Sequence, residues 1–218
     1  MNTIKWLFLS ILFFVSISSE TLAQQEKRNF LFLNSGISIP ISGAQRAGTV
    51  QSVGFGTGSF GDSWGTGFNL GVGFGHSFTE GLSIIVDFNF NSFPLDQENY
   101  LNGSPGSVEG GTLKIVMFSV NLKLLLTHNL GSPNPYLVGG LGTISFSDYE
   151  ITASGSGFLE NRKVTFKGGI QDAALLLGSG LDINVSNTTS IFLEGKIAIG
   201  LFGQATYIPL KAGVQLGF

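Results

Sequence analysis

Residues Tyr207–Phe218 read YIPLKAGVQLGF. Ile208, Leu210, Ala212, Val214, Leu216 and Phe218 share one parity; Pro209, Lys211, Gly213, Gln215 and Gly217 share the other. Such period-two alternation describes a strand with one face in an apolar medium and one in a polar medium. The pattern recurs upstream at Leu31, Leu33, Ile37, Ile39 and Ile41, at Phe68, Leu70, Val72 and Phe74, and at Ile84, Val86, Phe88 and Phe90. It continues at Val116, Phe118, Val120, Leu122 and Leu124, at Leu175, Leu177, Leu181 and Ile183, and at Leu193, Ile197, Ile199 and Leu201. A further run, Tyr136–Ser147, contains Val138-Gly139-Gly140-Leu141-Gly142, which leaves its facing open.

Eight strands result. Their connections alternate in length: long ones at 42–66, 92–111 and 148–168 with a shorter fourth at 202–207, and tight turns near Glu80, Asn129 and Asn187. Long loops at one end and short turns at the other predict an all-β fold, an eight-stranded antiparallel up-and-down transmembrane β-barrel of the outer-membrane kind. A soluble ligand-carrying barrel has the same alternation turned inside out. The polar face decides between them. It is mostly Gly, Ser and Asn with few ions, too poor in charge for a soluble surface but suited to a narrow lumen. The apolar face carries no mid-strand charge in the seven strands that orient. Aromatic residues gather near strand ends, with Phe90, Phe93, Phe146, Tyr149 and Tyr207 at the long-loop end and Phe78, Tyr136 and Phe218 at the other. Rings at these positions are expected to lie at the membrane interfaces.

Composition agrees. The chain has 218 residues, of which 32 are glycine and 20 phenylalanine; only 11% are charged, and the net charge is −3. A soluble enzyme surface needs more charge, disorder needs fewer aromatics, and nothing here forms a basic surface for nucleic acid. The absence of cysteine excludes disulfides and thiolate metal sites. Residues 1–23, with Lys5 ahead of an apolar stretch from Trp6 to Ile17 and small residues at Thr21 and Ala23, are expected to form a signal peptide. Residues 24–218 would then form the barrel domain.

The segments Gly36–Ser42 (GISIPIS), Pro135–Gly142 (PYLVGGLG) and Tyr207–Phe218 resemble the small outer-membrane barrel family related to the transmembrane domain of outer membrane protein A. The resemblance covers the mature chain. It implies a bacterial outer-membrane location, outer-membrane lipid as surroundings, and insertion by the barrel assembly machinery. It also implies an assembly signal in the last strand at Val214, Leu216 and Phe218.

Motifs for catalysis are weak. Gly56–Gly61 matches G-x-G-x-x-G but lacks the βαβ context of a nucleotide site. Asn102-Gly103-Ser104 and Asn187-Thr188-Thr189 match the glycosylation triplet and are read as loop composition. The two histidines, His76 and His128, fall at the short-turn end, away from where an outer-leaflet enzyme would need a general base. No enzyme activity, cofactor or metal is expected. The more telling set is Asp87, Lys123, Asp182, Glu194, Lys196 and Lys211, all of lumen parity, three acids against three bases. Ions in a low-dielectric bore must pair. They are expected to form a lumen network, with Lys211 set against Glu194 on the neighbouring strand. This network either fills the bore or rearranges as a gate. Pro40 and Pro209, near the long-loop ends of the first and last strands, raise a second possibility, a weakly paired seam. The leading functional expectation is a non-catalytic structural or surface-interaction role through the extracellular loops, whose ligand the sequence does not name. A small pore or lateral path for hydrophobic solutes and a lipid-directed enzyme are the alternatives.

Overall fold

A computed structural model describes residues 29–42, 60–98, 107–127, 133–155, 158–166, 168–169, 171–186 and 188–218. The expected signal peptide, His128, Asn102-Gly103-Ser104, Asn187 and residues 56–59 of the G-x-G-x-x-G stretch lie outside them. Eight strands close into a barrel: β1 (Asn29–Ser42), β2 (Gly67–Ser77), β3 (Leu82–Pro94), β5 (Thr112–Leu125), β6 (Pro133–Phe146), β9 (Gln171–Asn184), β10 (Thr189–Gly200) and β11 (Thr206–Gly217). Each pairs antiparallel with its sequence neighbours in the barrel, and β1 closes on β11. The shortest barrel strand, β2, has 11 residues. At ~3.3 Å per residue and a tilt near 45°, that length spans about 25 Å, the depth of an outer-membrane apolar band.

Parity sets the facing throughout. Leu33, Leu70, Phe88, Leu122, Leu141, Leu177, Leu193 and Leu210 are all exposed on the outer wall, between 41% and 68%. The polar set Asn34, Asn69, Asp87, Asn89, Ser119, Asn121, Lys196 and Lys211 is buried inside. A soluble barrel would reverse this, since no aqueous surface is built from a continuous girdle of exposed leucine, valine and phenylalanine. The facing of β6 is now resolved. Tyr136, Val138, Ile144 and Phe146 point inward, and Leu137 and Leu141 outward.

The inward glycines have a steric cause. Phe30, Phe32, Tyr136 and Phe192 lie beside Gly75, Gly73, Gly180 and Gly213 on the adjacent strand, and a β-carbon at any of these glycines would overlap the facing ring. A narrow bore holds large rings only where the neighbouring strand gives up its side chain.

Three further strands stand outside the barrel. β4 (Ser107–Gly110), β7 (Tyr149–Gly155) and β8 (Phe158–Phe166) form a sheet in the order β4-β7-β8. They belong to segments expected to be plain loops. Positive φ at Gly110 (81°) and Gly111 (83°) turns the chain from β4 into β5, a conformation open to glycine at no steric cost. A short helix, α1 (Phe60–Ser63), leads to Trp64, which bridges to Leu95 above the barrel wall.

The weakly paired seam raised as a possibility at Pro40 and Pro209 is not found; the two strands are paired there. The β1–β11 register runs from Phe30↔Gly217 through Ser38↔Pro209 to Ser42↔Thr206, with one irregularity between Pro40 and Ser42. Proline removes a ladder donor, but at a strand end the neighbouring rungs hold the pair.

Candidate functional site

The lumen is layered. At the short-turn end Phe30, Phe32, Ile85 and Phe192 form a small apolar cluster, with Phe32 and Phe192 edge to face at 5.8 Å. At the long-loop end Phe93, Leu113, Ile115, Met117, Ile144, Leu176 and Tyr207 have no exposed surface, and Trp64, Tyr149 and Ile151 complete the same cluster from outside the barrel. The polar belt with most of the ions lies between the two.

The upper cluster corrects the expectation of an interfacial girdle. Phe93, Phe146, Tyr149 and Tyr207 at one end and Tyr136 at the other are buried in the interior. Strand-end position suggested lipid contact, but for the barrel residues among them lumen parity decides. Phe93 shares parity with Asp87 and Asn89, and Tyr207 with Lys211. Of the rings expected at the interfaces, Phe218 is exposed at 59%. Tyr149 sits on β7 and meets Trp64 edge to face at 5.0 Å. Through Tyr149 and Ile151 the middle strand of the outer sheet is docked on the barrel mouth.

Five of the six expected ions form one chain. Lys123 Nζ donates to Asp182 Oδ2 at 2.6 Å and lies 4.3 Å from the centroid of the Tyr136 ring. The Tyr136 hydroxyl donates to Glu194 Oε2 at 3.2 Å. Lys196 Nζ bridges Glu194 Oε1 at 3.1 Å and Asp87 Oδ2 at 3.2 Å. The Ser119 hydroxyl donates to Asp87 Oδ1, and Asn121 Nδ2 donates to Ser119 Oγ at 2.9 Å. Every carboxylate in the chain meets an ammonium, so each ion is compensated where water is scarce.

Lys211 is placed differently. It faces Glu194 in the β10–β11 register, yet its ammonium donates across the bore to Asn89 Oδ1 on β3 at 2.7 Å. The Glu194 carboxylate is already held by Lys196 and Tyr136, and the long lysine stem reaches the far wall. Tyr136 is the network member that sequence reasoning missed. Its parity with Val138 and Ile144 carried the signal, but an apolar inner face on β6 masked the alternation.

The bore is filled. A cavity of ≈ 20 Å³, bounded by Phe32, Asp87, Lys123, Glu194 and Lys196 among others, has room for a single water. Among the described residues no group of three or more His, Cys, Asp or Glu is placed to hold a metal ion. His76 bonds Asn29 Oδ1 at 2.9 Å and packs edge to face on Phe78 at 5.3 Å, a strand-end polar contact. No described helix is long and apolar enough to cross a membrane, and the apolar outer wall consists of strands.

Solved structures share this architecture. Neisserial surface protein A is 12% identical with a TM-score of 0.50, covering 87% of this chain and 97% of its own. Ail, the attachment invasion locus protein of Yersinia pestis, is 13% identical with a TM-score of 0.50, covering 89% and 100%. The fold is that of the small eight-stranded barrels of the bacterial outer membrane. No family model matches the chain, and no curated protein matches it in sequence.

Val214, Leu216 and Phe218 lie on the outer face at the short-turn end, exposed at 44%, 53% and 59%. The Phe218 amide closes onto the Asn29 carbonyl at 2.9 Å, tying the end of the last strand to the start of the first.

Proposed function

We propose that this barrel is a non-catalytic surface protein of the outer membrane whose working part is the extracellular rim. The observation that supports this is the closure of the bore together with the sheet mounted on its mouth. The interior is occupied by packed side chains at both ends, whereas β4, β7 and β8 are held above the membrane by Tyr149 and Ile151. A sheet seated on the mouth presents a surface outside the barrel, whereas a bore packed with side chains is a poor route for solute. The five-ion network is then a static filler that fixes strand register, with Lys196 at its centre. The partner on the extracellular side is left open; outer-membrane lipid surrounds the wall.

Planar-bilayer recording tests this reading. The purified barrel is expected to give no steady conductance at neutral pH, and shortening the β7–β8 hairpin is expected to leave that silence intact. A large, steady conductance would replace the surface role with a pore. Comparing outer-membrane lipids from cells with and without the protein is expected to show no difference; a changed acyl composition would support a lipid-directed enzyme.

The last strand is also proposed as the element read by the barrel assembly machinery. Phe218 is 59% exposed in the finished barrel, so its deletion forfeits little burial. Deleting it, or Phe218→Ala, is nevertheless expected to cut the assembled amount in cells severalfold while leaving the stability of whatever assembles within about 1 kcal/mol. Normal yield of these variants would show that the terminal residue is not read.

A further inference from the structure

The connection between β10 and β11 is the shortest of the four at its end of the barrel. Residues Leu201–Ala205 make a tight turn: Leu201 N donates to Ala173 O at 2.7 Å, Gly200 N donates to Ala205 O at 2.9 Å, and Gly203 takes a positive φ of 72°. Asp172 on β9, 1% exposed, holds this turn from beneath. Its carboxylate accepts from Phe202 N at 2.9 Å and from Gln204 N at 3.0 Å. The clamped tip is apolar. Leu201 is 55% exposed and Phe202 72%, the highest value for a large apolar side chain among the described residues.

Two placements say what the tip meets. Leu201 continues the outward parity of Ile197 and Ile199, so it prolongs the lipid-facing wall without a break. The tip is also short, five residues between β10 and β11. Pairing between β10 and β11 ends at Ile199↔Thr206, whereas on the opposite side of the barrel β3 and β5 pair out to Pro94↔Thr112, and the β4-β7-β8 sheet rises beyond. The connection on this side therefore stays close to the barrel wall, whereas on the other side the outer sheet extends beyond it. We infer that Leu201 and Phe202 form an interfacial anchor that inserts among the acyl chains of outer-leaflet lipid, leaving the other connections as the water-facing surface. This rests on the membrane-barrel reading. An aromatic ring at the boundary between acyl chains and headgroups is favoured there, and the Asp172 clamp fixes the backbone that carries the ring.

The chain contains no cysteine, so single spin labels report depth directly. Labels at Phe202→Cys, at Leu193→Cys in the middle of the wall and at Glu109→Cys on the exposed outer sheet are compared in phospholipid vesicles. Collision with oxygen and with a water-soluble nickel complex is measured for each. The label at 202 is expected to resemble that at 193, with nickel accessibility severalfold below that at 109. Asp172→Asn, which removes one acceptor oxygen from the clamp, is expected to raise the mobility of the 202 label. A label at 202 as accessible to nickel as that at 109 would overturn the anchor and leave the tip free for a protein partner or a second copy. A label at 193 that is also nickel-accessible would show instead that the membrane-barrel reading itself has failed.

Discussion

Lys196→Met is expected to destabilise the barrel by about 3–5 kcal/mol, the cost of removing one partner from a buried ion pair. Lys196 is 3% exposed and is the shared cation of Asp87 and Glu194, at 3.2 and 3.1 Å. Without it, two carboxylates face one another in a belt closed by apolar side chains on both sides, with room for little water between them. Lys211 donates to Asn89 rather than to either carboxylate, so it does not take the place of Lys196 between them. Restoring the balance of charge with one further change, Asp87→Asn, which leaves two bases against two acids, is expected to recover part of the loss, since the cost lies in the carboxylate left uncompensated. Urea unfolding of the folded protein in lipid vesicles reads both values. A single variant within about 0.5 kcal/mol of wild type, the range of an ordinary surface change, would mean that water reaches the network freely.

Gly75→Ala is expected to cost about 1–3 kcal/mol, the usual penalty for overpacking a filled interior. The added methyl would occupy the space of the Phe30 ring, which is buried against Gly75 from the facing strand. In a Phe30→Ala background, itself expected to lose about 3–5 kcal/mol as a large buried ring is removed, the same glycine change should be close to neutral. The pair is in contact, so a double-mutant cycle isolates a coupling of about 0.5–3 kcal/mol. Equal effects of Gly75→Ala in both backgrounds would detach the glycine from the ring and leave the high glycine content without a steric cause.

These two sites show what was legible in the sequence. The wall was, because lipid demands an unbroken apolar parity: Phe68, Leu70, Val72 and Phe74 or Leu210, Val214 and Leu216 admit only one facing. The inward position of all six ions followed from the same parity. Their connections did not. Lys196 and Asp87 are separated by 109 residues and Lys211 and Asn89 by 122, and which stem crosses the bore depends on who else claims each carboxylate. Tyr136, which takes one side of Glu194, was hidden because β6 carries apolar residues on both faces. The upper apolar cluster was missed for a related reason. Strand-end aromatics were assigned by height alone, although Phe93, Phe146 and Tyr207 have lumen parity. The outer sheet left the weakest trace. Ser107–Gly110 and Tyr149–Gly155 mix polar, small and apolar residues without a run long enough to orient, and among the described residues Tyr149 and Ile151 are the ones in the cluster that seats the sheet.

Heat-modifiable migration combined with membrane fractionation tests the central claim most directly. A closed barrel has no free edge from which to unzip, so the protein is expected to separate with the outer membrane and to run faster on a denaturing gel unheated than boiled. Recovery as a soluble periplasmic protein with no heat-dependent shift would contradict the transmembrane barrel and restore the inverted, ligand-carrying alternative.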